Sequence, residues 1–235
     1  MKLNALLKPS LAAVAVLALP ALASAGVVIT FDDLPALPAV TTFASVTQAS
    51  GGSGVISGVT FDSSLYVVGD AYVEGFQNNG GTQPFAHPSS GSYAIFNGSG
   101  ADGINLVTTQ VLTSAWFGNP NFGGGIGGAS QVTVQALHNA TVLGSVSMNL
   151  ASTTLQQLDT SSFSSLSGIT GYKINRVATG TGPYNGAHWI ADDFAFVSPV
   201  PEPESVALAA AAGLAAFAVV RRCRRGGVAG LPSVA

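Results

Sequence analysis

Two pairs of adjacent aspartates flank the central part of the chain. One closes Ile29-Thr30-Phe31-Asp32-Asp33. The other sits inside Trp189-Ile190-Ala191-Asp192-Asp193-Phe194-Ala195-Phe196. Counted along a regular strand, Asp192 shares a face with Ile190, Phe194 and Phe196, and Asp33 shares one with Ile29 and Phe31. A carboxylate on an apolar face must find hydrogen-bond donors or a cation. First and last strands often pair in a sandwich, which would bring the two pairs together. One reading is then a structural calcium held by Asp32, Asp33, Asp192 and Asp193, since calcium is the natural cation for oxygen ligands outside a cell. The other is that these acids end strands, solvated or bonded to backbone N–H groups. Two aspartate pairs fall short of the roughly six to eight oxygens that calcium takes.

Other chemistry is sparser. Phe85, Phe122 and Tyr184 lie in loop-like stretches, where aromatic rings can stack on sugars. Ordinary packing is the competing reading for each of them. The histidines His87, His138 and His188 are scattered, without the i,i+4 spacing of a zinc helix. No G-x-S-x-G elbow occurs. Asp70 with Glu74, or Glu74 with Asp102, could be imagined as a glycosidase pair, but their spacing does not favour it. Gly123 to Gly128 matches G-x-G-x-x-G literally, yet a strand-like run follows it where a dinucleotide site needs a helix. The expectation is a protein with no catalytic residues and no cofactor beyond the calcium reading.

These residues must be positioned by a body that is not the whole chain. The 235 residues begin with Lys2 and Lys8, an apolar run from Leu11 to Leu19, Pro20, and then Ala23-Ser24-Ala25. A positive n-region, a short h-region and an A-x-A site make a signal peptide over residues 1–25, cut after Ala25 and delivered to the Sec export machinery. The body, about 175 residues from Gly26 onward, is long enough to bury a core without disulfides. Its nine acids face only Lys173 and Arg176, a balance of minus seven that repels phosphate backbones and argues against nucleic acid. The one cysteine, Cys223, lies outside the body and can form no disulfide within the chain.

Beyond the body comes a three-part segment. Val200-Pro201-Glu202-Pro203 precedes an apolar run of 15 residues, Val206 to Val220, and then Arg221-Arg222-Cys223-Arg224-Arg225. The prolines hold the chain extended. As a helix the run would be about 22 Å long, short of the roughly 30 Å hydrocarbon core. Eight of its residues are alanine, so it is a weak anchor. The arginines can snorkel, and they place the C-terminus in the cytoplasm with the body outside. This order resembles the PEP-CTERM sorting signal of bacterial surface proteins. The resemblance implies recognition of Val200 to Pro203 by an exosortase, a membrane protease-transpeptidase, and Arg221, Arg222, Arg224 and Arg225 as the stop cluster. It further implies passage through the inner membrane, processing, and an end state at the cell surface or in the extracellular matrix. Where that signal usually ends near the arginines, this chain continues through residues 226–235, a small uncharged extension.

The body shows no helical period. Short apolar alternations divided by Gly, Asn, Pro and Ser predict strands at Val27–Phe31, Val55–Phe61, Leu65–Val68, Tyr93–Asn97, Val111–Phe117, Gln131–Leu137, Val142–Leu150, Tyr172–Ala178 and Trp189–Val197. A hairpin turning at His138 to Thr141 should put Val142, Gly144, Val146, Met148 and Leu150 on one face. The long loops Gln77–Gly91 and Gly118–Ser130 should cap one end. The fold class is therefore all-β, an antiparallel β-sandwich or jelly-roll-like domain over residues 26–198, with a sorting tail over 199–225. Its first and last strands resemble those of small β-sandwich domains in PEP-CTERM proteins. The implied role is a structural or adhesive surface protein associated with exopolysaccharide or biofilm, with a carbohydrate-binding module as the alternative and a secreted hydrolase as a third reading without a motif.

The sorting expectation predicts that the mature protein from cells has the mass of a chain starting at Gly26 and ending near Pro203. Altering Pro201-Glu202-Pro203 should leave the tail attached. Native protein that runs unbroken to Ala235 would contradict it.

Overall fold

The computed structural model describes residues 26–37, 43–70, 88–120, 128–150, 154–178 and 188–199, with a few helical residues between 211 and 217. The strands belong to one compact unit, Ser24–Pro199. They form two sheets.

The seven-stranded sheet takes β2 (Phe43–Ser45), β5 (Leu65–Gly69), β6 (Tyr93–Asn97), β13 (Ile190–Val197), β8 (Val111–Gly118) and β11 (Gln156–Asp159) in that spatial order, with β1 (Val27–Ile29) also paired to β13. The six-stranded sheet runs β3 (Val55–Ile56), β4 (Val59–Phe61), β7 (Ile104–Val107), β12 (Gly171–Ala178), β9 (Ala129–His138) and β10 (Thr141–Asn149). Every named strand pair is antiparallel. From β6 to β13 the chain changes sheet at almost every connection, so the fold is an all-β sandwich, as the strand pattern implies.

The core lies between the sheets. Phe31, Phe61, Phe117, Phe194, Phe196, Trp189 and Tyr172 are its large members, all nearly inaccessible to water. Phe194 packs edge-on against Phe31, Phe61 and Phe117, with ring centroids 5.9–6.0 Å apart. That arrangement presents positive ring edges to negative faces. One polar contact crosses the core. The Tyr172 hydroxyl on β12 accepts from Leu112 N at 2.8 Å and donates to Gln110 O at 3.0 Å, reaching β8 of the other sheet. Burial raises that phenol's pKa to about 12, so it stays a neutral donor.

Most expected strands recur, with instructive changes. The run Val55–Phe61 is a tight hairpin, β3 with β4, because Ser57 (φ 49°) and Gly58 (φ 81°) both turn left-handed, as a two-residue hairpin requires. Three strands stand outside the expected set: β2, β7 and β11, of which β7 does alternate (Ile104 and Leu106 in, Asn105 and Val107 out). Gln156-Gln157-Leu158-Asp159 buries one side chain in four, too little to register as alternation. The hairpin of β9 and β10 turns at Asn139 (φ 55°). However, Val142 does not share the face of Gly144, Val146 and Met148. The register slips between Val142 and Gly144, so Val142 pairs with Leu137 and stands 48 % exposed.

The described flanks of the two long loops lie at opposite ends of β6: Gly69 pairs with Tyr93 at one end, whereas Gly118 pairs with Ile190, itself opposite Phe96, at the other. Residues 71–87 and 121–127 lie outside the described residues.

No described helix is long and apolar enough to cross a membrane. Of the expected tail helix, Ala211, Gly213–Ala215 and Phe217 are helical and exposed; the rest lies outside the described residues.

Candidate functional site

The last strand sets the site. Along β13, Ala191 pairs with Phe117 and faces the core, while Ile190 and Asp192 face outward. The next residue, Asp193, adopts φ 49°, and the register with β8 shifts between Asp192 and Ala195. Asp193 is thus an extra residue, a bulge that reverses the phase of the strand. Phe194 and Phe196 then enter the core rather than sharing the outer face of Asp192. The face predicted for Asp192 holds for Ile190 and fails for the two phenylalanines. The count for Asp33 fails similarly. β1 stops at Ile29, Phe31 turns to φ 65°, and Asp33 is exposed.

β1 does pair with β13, with Ile29 opposite Phe194. That pairing brings Asp32 into the neighbourhood of the second aspartate pair, where all three acids meet one short turn, Ser89-Ser90-Gly91-Ser92. Asp192 Oδ2 accepts from Ser89 N at 3.0 Å, Ser90 N at 3.2 Å and Ser89 Oγ at 3.2 Å. Its Oδ1 accepts from Asp193 N at 2.8 Å. Asp193 accepts from Ser89 Oγ at 2.7 Å and Ser90 Oγ at 2.6 Å. Asp32 Oδ1 accepts from Ser92 N at 2.7 Å. Gly91 has φ 55°, and a β-carbon there would overlap the Asp32 carboxylate, so the turn requires glycine.

The donors that these carboxylates need therefore come from the serine turn. Asp33 takes no part in these bonds. Among the described residues no group of three or more His, Cys, Asp or Glu gathers to hold a metal.

Burial pushes the Asp192 carboxyl up to about 7, and the adjacent Asp193 adds to the rise, while the amides of Ser90 and Asp193 and the hydroxyl of Ser89 pull the other way. Nearby, His188 is held below its ordinary value by burial. Its Nδ1 lies 3.0 Å from Asn97 O, and Asn97 Oδ1 accepts from Trp189 N at 2.7 Å.

The outer face that carries Asp192 is apolar. Val68, Ala94, Phe96, Leu155 and Ile190 form a second buried cluster there, with Tyr66 and Trp116 packed against it. Cross-strand pairing lines them up: Phe43 with Val68, Tyr66 with Phe96, Phe96 with Ile190, and Trp116 with Asp192. Phe43 packs edge-on against both Tyr66 and Phe96, which lie tilted against each other, with centroids 5.3–6.0 Å apart. Phe43 is 46 % exposed, and Tyr66 and Trp116 are half-buried.

The outer face of the six-stranded sheet differs. It carries polar pairs, Gln131 with Asn149 at 3.0 Å, Thr133 with Ser147 at 2.7 Å, and Asn175 with Gln135 at 2.9 Å, together with Lys173 and the singly exposed valines Val55, Val107, Val142 and Val177, but no Phe, Tyr or Trp ring among its described strands. Of the body's two basic residues, Arg176 is committed to Gly100 O through Nε and a terminal nitrogen.

The loop aromatics Phe85, Phe122 and Tyr184 lie outside the described residues. So do Ala23, Ala25, Val200 to Pro203, and Arg221, Arg222, Arg224 and Arg225. The residues that sequence reasoning passed over are Ser89, Ser90 and Ser92, and, within the aromatic row Phe43, Tyr66, Phe96 and Trp116, the members Phe43 and Phe96. A signal for the row existed. Leu65–Gly69 and Tyr93–Asn97 are apolar without alternation, the pattern of strands covered on both faces.

No family model matches the chain, and no curated protein matches its sequence. Among solved structures, a DUF4465 family protein from Bacteroides ovatus is similar at 10 % identity and a TM-score of 0.44, over 74 % of this chain and 98 % of that one. The M60 catalytic domain with the CBM51-1 and CBM51-2 domains of ZmpB from Clostridium perfringens gives 12 % identity and a TM-score of 0.29, over 49 % of this chain and 12 % of that one.

A raised carboxyl in the folded state keeps its proton where the unfolded chain has lost its own. Asp192 therefore stabilises the fold most in acid, and that contribution declines as pH rises from about 4 to about 7. Denaturant melts of the unaltered chain and of Asp192→Asn, taken from pH 4 to pH 8, should show their difference in stability falling across that window and flat above it. A difference that rises with pH would contradict the assignment.

Proposed function

We propose that the chain is an exported, non-catalytic protein of the cell surface or extracellular matrix. It is sorted through its C-terminal segment by an exosortase-type enzyme, and it adheres to extracellular polysaccharide through the outer face of the seven-stranded sheet. The observation that carries the adhesive part is the inequality of the two outer faces. A sandwich that only fills space can leave both outer faces without Phe, Tyr or Trp rings, as the described strands of the six-stranded sheet do on their outer side here. The other sheet instead places Phe43, Tyr66 and Trp116 at the rim of an apolar cluster. Flat, partly exposed rings suit a pyranose, which offers C–H faces to them.

The tail supports export and sorting, through Pro201-Glu202-Pro203, the apolar run and the arginines. A hydrolase gains less support. Asp192 is the carboxyl pushed toward neutrality, and its oxygens are already occupied by three backbone N–H donors of the protein itself, with the Ser89 hydroxyl shared between it and Asp193. A dedicated carbohydrate-binding module is the narrower version of the same reading, in which one glycan is preferred.

The test is binding of the chain to a panel of immobilised polysaccharides. Phe43→Ala and Trp116→Ala should each weaken binding about 2- to 10-fold, the range expected for one aromatic contact of roughly 0.5–1.5 kcal/mol. Gln135→Ala and Asn175→Ala on the outer face of the six-stranded sheet should leave it unchanged. No binding across the panel, or equal losses from both faces, would remove the adhesive reading.

A further inference from the structure

Sheet edges expose unpaired backbone N–H and C=O groups, and proteins protect them by keeping edge strands short, charged, proline-bearing or covered. Four of the edges here obey that rule. β1, β2, β3 and β11 are two to four residues long. β10 does not. It is nine residues long and pairs on one side with β9, and no described strand pairs with its other side. Its sequence, Thr-Val-Leu-Gly-Ser-Val-Ser-Met-Asn, holds no charge and no proline. The register slip lies between Val142 and Gly144, which leaves Gly144 to Asn149 in regular pairing.

We propose that β10 is a homotypic docking edge, on which β10 of a second copy pairs antiparallel about a two-fold axis through Val146. The strand is self-complementary in that register. Ser145 faces Ser147 on the outer side, where each already pairs with Gln135 or Thr133 of β9, so the polar ladder continues across the axis. On the inner side Val146 meets Val146. Met148 lies opposite Gly144, which adds no side chain of its own. Val146 and Met148 are half-buried at the margin of the core, and a second copy would complete their burial. With no charged residue on the strand, nothing along it repels its own copy. The pairing joins the two six-stranded sheets, and it closes, because each copy offers one long edge among the described strands and uses it. It is independent of what the aromatic face binds.

Directly opposed Cα atoms in an antiparallel pair lie about 4.5–5.5 Å apart, within disulfide reach. The full chain, purified in detergent and carrying Cys223→Ser, is the test material. Under mild oxidation Val146→Cys should give a covalent dimer, whereas Val55→Cys, on the short edge β3, should stay monomeric. Absence of a Val146→Cys dimer, or equal cross-linking at Val55→Cys, overturns the proposal. Sedimentation velocity of the chain carrying Cys223→Ser alone gives a second readout. It should show a reversible dimer that Ser147→Lys weakens several-fold, since the exposed lysine leaves the fold intact and charges the edge. A monomer at all concentrations, a dimer indifferent to Ser147→Lys, or open-ended growth overturns it equally.

Discussion

The seven-stranded sheet depends on one backbone conformation, Asp193 at φ 49°. Without that extra residue β13 would alternate regularly, and Asp192 would share its face with Phe194 and Phe196. One of two penalties would follow: a carboxylate in the core, or two phenylalanine rings in water. The bulge removes the conflict. Asp192 stays outside the core beside Trp116, while Phe194 and Phe196 go inside, where Phe194 holds the rings of Phe31, Phe61 and Phe117 together. A left-handed non-glycine residue is costly, of order 1–3 kcal/mol, and persists only where the surroundings demand it. Here they do, through the Asp192–Asp193 bonds to the Ser89–Ser92 turn.

That turn returns the benefit. It closes the segment between β5 and β6, and its amides and hydroxyls satisfy acids drawn from both ends of the domain. Asp32 comes from the stretch after β1, and Asp192 and Asp193 from β13. The adjacent Asp192 and Asp193 would repel more strongly without those donors. Gly91 is part of the device because no side chain fits against Asp32. The outer row then runs beside this clamp from Trp116 on β8 past Ile190 on β13 to Phe96, Tyr66 and Phe43 on β6, β5 and β2, so the bulge, the acid pairing and the proposed binding face adjoin one another.

Much of this was legible in the residues. The alternation in Val111–Phe117 and Gln131–Leu137 announced strands, and the chain ends of the domain pair as Ile29 and Phe194 require. The special standing of the aspartate pairs was also readable, because acids amid apolar residues demand partners. The partner itself was not. Ser89 and Ser90 lie more than a hundred residues from Asp192, and serines in a Gly/Pro-rich stretch carry no periodic signal. The bulges at Asp193 and near Val142 were equally hidden, since strict alternation is the only rule a sequence offers and a bulge is its local exception. The outer aromatic face was missed for a related reason. Strands apolar on both sides read as ordinary core, and only the pairing of Tyr66, Phe96 and Ile190 across three strands shows a second face.

The most direct test of the clamp at the centre of this account is residue-resolved amide hydrogen exchange in the native protein. The amides of Ser89, Ser90, Ser92 and Asp193 all donate to carboxylates. They should exchange as slowly as the strand amides of β6 and β13, although the three serines precede β6, and Asp192→Ala, which removes the acceptor, should release Ser89 and Ser90 while leaving the β9–β12 ladder protected. Exchange of the serine amides at the rate of an open loop in the unaltered chain would mean that the acids do not hold the turn.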